Sequence, residues 1–162
     1  MTESTQRNER TRYQIELEIR YGMRLDELHR RFYARLASAL TFALLLAGSA
    51  AFGGYIAALP ELAGAAGLVV AALTLAEVVL RPGERGAYAS ALARQFGVLR
   101  ATAGELTIDD LSRRLSELQC ETLPGEIEAL RGVAMNDVLR EHGHSDELLA
   151  LSRWQRVIAV LA

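Results

Sequence analysis

LASALTFALLLAGSAAFGGYIAAL, residues 36–59, is a run of 24 residues without a charge. As a helix it is about 36 Å long, against a hydrocarbon core of about 30 Å, so it can cross a bilayer with some tilt. LAGAAGLVVAALTLAEVVL, residues 62–80, has the same character with a single ionisable side chain, Glu77. Pro60-Glu61 leaves room only for a tight turn between the two runs. Arg81-Pro82-Gly83 ends the second, because Pro82 biases Arg81 away from α-helical geometry. A chain of 162 residues is too small to bury two such helices on all sides, which argues against a soluble hairpin. A signal peptide is also disfavoured, since 35 residues precede the first run and a second run follows. The expected fold class is an all-α membrane protein: a two-transmembrane helical hairpin with a cytosolic helical bundle, assembled as an oligomer. The divisions are a pre-membrane amphipathic helix over 1–35, the hairpin over 36–80 and a cytosolic helical region over 81–162.

Charge is distributed around these runs, and the net of −2 conceals it. Residues 1–35 carry eight Arg against six acids and residues 81–100 four Arg against one, whereas residues 101–162 carry six Arg against eleven acids. The turn at 60–61 has no basic residue. By the positive-inside rule both termini face the cytoplasm. All 18 basic residues are Arg, whose planar fork binds two phosphate oxygens at once. Cys120 is the one cysteine, so no intramolecular disulfide can form; its plain reading is a small apolar residue near a helix end.

Small residues recur four apart in the spans, as Ala47/Ala51, Ala50/Gly54 and Ala63/Gly67, and let helices approach closely in lipid. They serve packing of the hairpin on itself, packing between subunits, or both. Glu77 is the costly residue of the second run. Thr74, Glu77 and Arg81 share one stripe, either lining a pore or forming a solvated edge with a Glu77–Arg81 pair. Arg24, Arg30, Arg31, Arg35, Arg81, Arg85 and Arg94 make a basic collar. It serves topology and anionic headgroups, or it is an anion site in which Arg24, Arg30, Arg31, Arg35, Arg85 and Arg94 bind a polyphosphate or nucleic acid.

Before the first run, Tyr13, Ile15, Leu17, Ile19 and Tyr21 alternate like a strand, while Leu25, Leu28, Phe32 and Leu36 are spaced like a helix. One helix from about Arg12 to Leu59, with Gly22 as a weak point, is the favoured reading, and a short strand over 13–19 the other. Beyond the second run, Tyr88, Leu92, Phe96, Leu99, Ala103 and Leu106 form a helical stripe. Thr107 with Asp110 restarts a helix that carries Ile108, Leu111, Leu115 and Leu118. Such narrow stripes suit packing on partner helices. Leu123-Pro124-Gly125 reads as a turn, Glu126–Glu141 as a helix stopped by Gly143, and Ser145 as the cap of a last helix.

The sequence offers no phosphate-binding glycine loop, no cysteine pair for zinc and no nucleophilic triad. Glu141-His142-Gly143-His144-Ser145-Asp146 reads as a polar loop rather than a metal site, and His29, among arginines, as a surface histidine. Neither an enzymatic activity nor a cofactor is expected.

The layout resembles the SMODS and SLOG-associating two-transmembrane effector family, SLATT, over roughly residues 10–145. The matching features are HRRFYARL at 29–36 entering the first run, the tight hairpin, the Arg81-Pro82-x-Glu84-Arg85 exit, the long helix that follows, and Asn136-Asp137 ahead of Gly143. The resemblance implies a pore-forming effector of bacterial anti-phage defence in the inner membrane. It implies a homo-oligomer, here expected at roughly four or five subunits, and a nucleotide or single-stranded oligonucleotide signal made by a partner nucleotidyltransferase. The competing readings are a membrane-anchored interaction protein without a channel and a holin-like pore that needs no ligand.

Overall fold

In the computed structural model, residues 11–47, 49, 60–121 and 123–162 are described, and every regular element among them is helical. Helix α1 spans Arg12–Ala47, α2 Pro60–Leu80, α3 Pro82–Thr102, α4 Ile108–Cys120, α5 Ala129–Glu141 and α6 Arg153–Leu161, with a 3-10 turn over Ser145–Glu147. The second half of the first apolar run, with Ala51, Ala50 and Gly54, lies outside the described residues.

The strand-like alternation at 13–19 resolves as helix. Ile15 and Ile19 stand four apart on one face and are fully buried, whereas Tyr13 is exposed. They pack with Phe96, Leu99 and Ala103 of α3 and with Leu111 and Leu115 of α4. A second cluster joins Leu28 of α1 to Leu130, Val133 and Ala134 of α5 and to Ile158 and Ala162 beside α6. A third joins Tyr33 to Ala89, Leu92 and Leu123. The pair α1–α3 is therefore the spine, with α4 against one side and α5–α6 against the other. Leu92, Leu99 and Leu111 are consumed inside the chain, so their stripe is not left for partner subunits.

Gly22 is where the spine closes. A methyl group there would stand 2.7 Å from the Phe96 ring, so the helices meet at this distance only without a side chain. Gly22→Val is expected to lower unfolding free energy by roughly 2 kcal/mol through overpacking. Thermal melts followed by circular dichroism in detergent should show the loss, and adding Phe96→Leu should recover part of it. An unchanged melting point would contradict the close approach.

Local signals account for the element ends. Arg81 is left-handed, with φ 43°, and separates α2 from α3, whose first residue is Pro82. Non-glycine residues rarely hold that geometry; here Pro82 bars the α conformation at the residue before it. Thr107 caps α4, its Oγ1 accepting from the Asp110 N–H at 3.2 Å. The α5 helix starts at Ala129, three residues later than expected, and the Ile127 N–H ahead of it is taken by a side chain of α1. It ends in a Schellman turn: Gly143 has φ 77°, and the His144 N–H reaches the Leu139 carbonyl at 2.9 Å.

The last helix corrects the expectation for Ser145, which opens the 3-10 turn instead. Ser152 is the cap, in a reciprocal box with Gln155. The intervening chain is held off helical geometry by Asn136. Its buried amide donates to the Leu149 carbonyl at 2.9 Å and accepts from the Leu149 N–H at 2.8 Å.

Among the described residues one helix is long and apolar enough to cross a membrane, the run Ala65–Thr102, with mean hydropathy 1.7 in its most apolar window. Only 6% of that window is buried. Leu68, Val69, Leu75, Val78 and Val79 are exposed on it, as are Phe42, Leu45 and Leu46 where α1 runs into the first apolar stretch.

Candidate functional site: an arginine-lined groove

On α1 the residues Arg20, Arg24, Glu27 and Arg30 follow steps of four, three and three, which places them on one face. That face meets Ser90, Ala93, Arg94 and Arg100 of α3 and Glu141 at the end of α5, around a groove of about 440 Å³. Five arginines and two glutamates line it.

The arginines are not equivalent. Arg24 is spent on Asp137, with Nε and Nη2 2.9 and 2.7 Å from Oδ2. Arg30 grips Glu27 through two bonds of 2.8 and 2.6 Å, and Arg31 adds a third at 2.9 Å. These hydrogen bonds hold the Glu27 carboxyl down at about 2. Arg20 Nη1 lies 3.2 Å from His142 Nε2. Because His142 Nδ1 sits 2.8 Å from the Val138 carbonyl, the proton belongs on Nδ1, and Nε2 accepts from Arg20. Arg94 and Arg100 have no ion pair or side-chain hydrogen bond with any described residue. Their guanidinium groups meet no acceptor among the described residues.

Of the six arginines expected to bind ligand, Arg24, Arg30 and Arg94 meet here. The other three do not. Arg31 turns to Glu27, Arg35 Nη1 donates to the Val160 carbonyl at 2.8 Å, and Arg85 lies 5.9 Å over the Tyr33 ring, beside Gly125. Arg20 and Arg100 were missed. The steps 20, 24, 27, 30 along α1 were the available signal for the first; nothing local marks the second. Asn136-Asp137 acquires two separate roles, Asn136 clamping the 149 backbone and Asp137 anchoring Arg24.

On the apolar helix, Thr74, Glu77 and Arg81 are all exposed. The Thr74 hydroxyl donates to the Val70 carbonyl at 2.9 Å. The Glu77–Arg81 ion pair does not form: Arg81 Nη1 approaches Glu84 at 3.4 Å instead.

On the far side of the spine lies a second cavity, of about 390 Å³, with Tyr21, Asp26, His29, Phe96, Glu126 and Arg131 in its wall. His29 corrects the surface reading, being fully buried. Its Nδ1 donates to the Leu25 carbonyl at 2.9 Å and its Nε2 accepts the Ile127 N–H at 2.9 Å. Both nitrogens are satisfied by a neutral ring, and burial pushes the pKa down accordingly. Asp26 is 7% exposed. Burial, reinforced by the Glu126 carboxylate, raises its pKa to about 7. Glu126 is itself held low by hydrogen bonds from Arg131 at 2.8 and 3.0 Å.

Among the described residues no group of three His, Cys, Asp or Glu is placed to hold a metal ion. In the 141–146 loop, His144 Nδ1 approaches Glu147 at 3.8 Å. Cys120 ends α4 and is exposed. The groove is where five arginine side chains are brought together. Neither in sequence nor in fold does the chain match a protein-family model, a curated protein or a solved structure.

Proposed function

We propose that the chain is a pore-forming effector of a bacterial inner membrane, homo-oligomeric and gated by an anionic nucleotide or single-stranded oligonucleotide bound in the arginine groove. The observation that carries this reading is that Arg94 and Arg100, without acid partners among the described residues, face Arg20 and Arg24 across the two helices that lead into the exposed apolar segments. A polyanion seated there touches both helices at once and draws α1 and α3 together. The α3 helix is joined to the apolar α2 at Arg81, so a change in the spacing of the spine is passed to the membrane helices through one strained residue. Thr74 and Glu77 are the polar residues of α2 proposed to line the pore, and Arg81 its cytoplasmic rim. A polyanion across this mouth holds the pore shut, and its loss opens it. Both termini lie in the cytoplasm, and anti-phage defence is the setting the SLATT resemblance supplies.

Leakage of a small dye from liposomes carrying the purified protein tests this. Leakage should depend on the added oligonucleotide, and Glu77→Gln should change ion selectivity while leaving expression intact. Leakage indifferent to any nucleotide would favour the holin-like reading, and no leakage under any condition the interaction protein. If Glu77→Gln leaves selectivity untouched, Glu77 does not line the pore.

A further inference from the structure

Helix α6 has an edge that the other described residues leave uncovered. Ile158 and Ala162 turn inward onto Leu28 and Leu130. The flank beside that inward face presents Trp154, Val157, Val160 and Leu161, which are 67, 52, 79 and 47% exposed. Four large apolar side chains on a nine-residue helix are a concentrated patch for a surface facing water.

The position of this edge says what covers it. Arg35 Nη1 donates to the Val160 carbonyl at 2.8 Å, fastening α6 beside the residue that precedes the apolar run from Leu36. The next large exposed apolar side chain along α1 is Phe42, so the α6 patch adjoins the apolar belt of the spans. Arg153 and Arg156 are exposed beside the patch and make no side-chain bond to any described residue. We infer that the Trp154–Val157–Val160–Leu161 edge lies in the interfacial layer of the bilayer, with Arg153 and Arg156 reaching lipid phosphates. The inference rests on the reading of residues 36 onward as a membrane span.

The dimensions suit it. The polar layer on each side of the hydrocarbon is roughly 6 Å deep, and a nine-residue helix is about 13 Å long. Val160 and Leu161, fastened at Arg35, enter the layer, and Trp154 reaches it with the amphipathic ring that favours headgroup level. A flanking pair of cations adds attraction to an anionic leaflet. The bilayer then grips the cytoplasmic bundle directly, because α6 packs on Leu28, in the same helix that supplies Arg24 and Arg30 to the groove.

The test uses the full chain reconstituted in vesicles containing phosphatidylglycerol. Trp154 is the sole tryptophan, so its fluorescence should be quenched by lipids brominated near the top of the acyl chains. A spin label at Val160→Cys, in a Cys120→Ser background, should be open to oxygen and shielded from a water-soluble nickel chelate. The ratio of the two accessibilities should stand severalfold above that of a label at Ser116→Cys on α4. Val69→Cys, on the apolar helix, reports the span itself. Lipid exposure at 69 with aqueous exposure at 160 overturns the α6 inference alone, and aqueous exposure at both overturns the span with it. Spin–spin broadening at 160 assigns the edge to a second copy of the chain and overturns the lipid assignment.

Discussion

Replacing Asp26 by asparagine raises stability at pH 8 and leaves it nearly unchanged at pH 4. The folded carboxyl titrates at about 7, against an ordinary value of 3.8. Below pH 4 it carries a proton folded or unfolded, and contributes no difference. As pH rises from 4 to 7 the unfolded chain gives up that proton while the folded chain retains it, so stability is lost across this window and stays low above it. A shift of this size corresponds to an upper bound of about 4 kcal/mol. The carboxyl lines a cavity rather than a close-packed core, and about 2 kcal/mol is the fairer expectation. Asparagine has the same shape and never ionises, so the variant should melt roughly 5 °C above wild type at pH 8. The other groups facing this cavity are Glu18, Tyr21, His29, Glu121, Glu126 and Arg131, all common to both proteins, so the difference between the two pH profiles isolates Asp26. Melting curves in one detergent at pH 4, 6 and 8 supply the comparison. An equal shift at all three values would mean the gain is not electrostatic.

Asp26 also shows where sequence reading stops. Its neighbours Leu25 and Leu28 were legible as an inward face, because apolar spacing is a one-dimensional signal. That the same face also buries Asp26 and His29 depends on the segment from Leu123 to Leu130, which folds over it and presents the Ile127 N–H to His29. The sequence separation of 98 residues leaves no local mark. The Thr107 cap, the turn at Pro124-Gly125 and the stop at Gly143 were legible because each is made by residues within a few positions of one another. The cap of α6 was expected at Ser145 and lies at Ser152 for the opposite reason: Asn136, 13 residues before Leu149, takes up both backbone groups of Leu149. The basic collar was legible as a composition, but its division was not. Arg24, Arg30 and Arg94 share a groove, whereas Arg85 faces Tyr33 and Gly125 and Arg35 faces α6, because helical phase and partner helices decide where each long side chain ends.

That division sets the largest functional effect. Arg94→Glu with Arg100→Glu should abolish binding of a single-stranded oligonucleotide and leave the fold intact. Five arginines and two glutamates give the groove a formal +3; the double variant has three and four, a formal −1. Neither side chain has an acid partner among the described residues, so the substitution removes ligand contacts without leaving one of their carboxylates unpaired. Arg24→Glu and Arg30→Glu would instead break the pairs with Asp137 and Glu27 and confuse binding with stability. A hydrogen bond from a charged donor contributes about 1.5–3 kcal/mol, so losing two should weaken binding by roughly 100-fold or more. Losing two phosphate contacts should also flatten the dependence of log affinity on log salt by about 1.4. Arg113→Glu, exposed on α4 and paired with Asp110, is the control and should bind nearly as wild type. Fluorescence anisotropy with a labelled oligonucleotide at several salt concentrations gives both quantities, and circular dichroism confirms that the variants are folded. If the double variant and the control bind alike, the groove is not where the polyanion sits. A loss of affinity with an unchanged salt slope would show that Arg94 and Arg100 shape the site without touching phosphate.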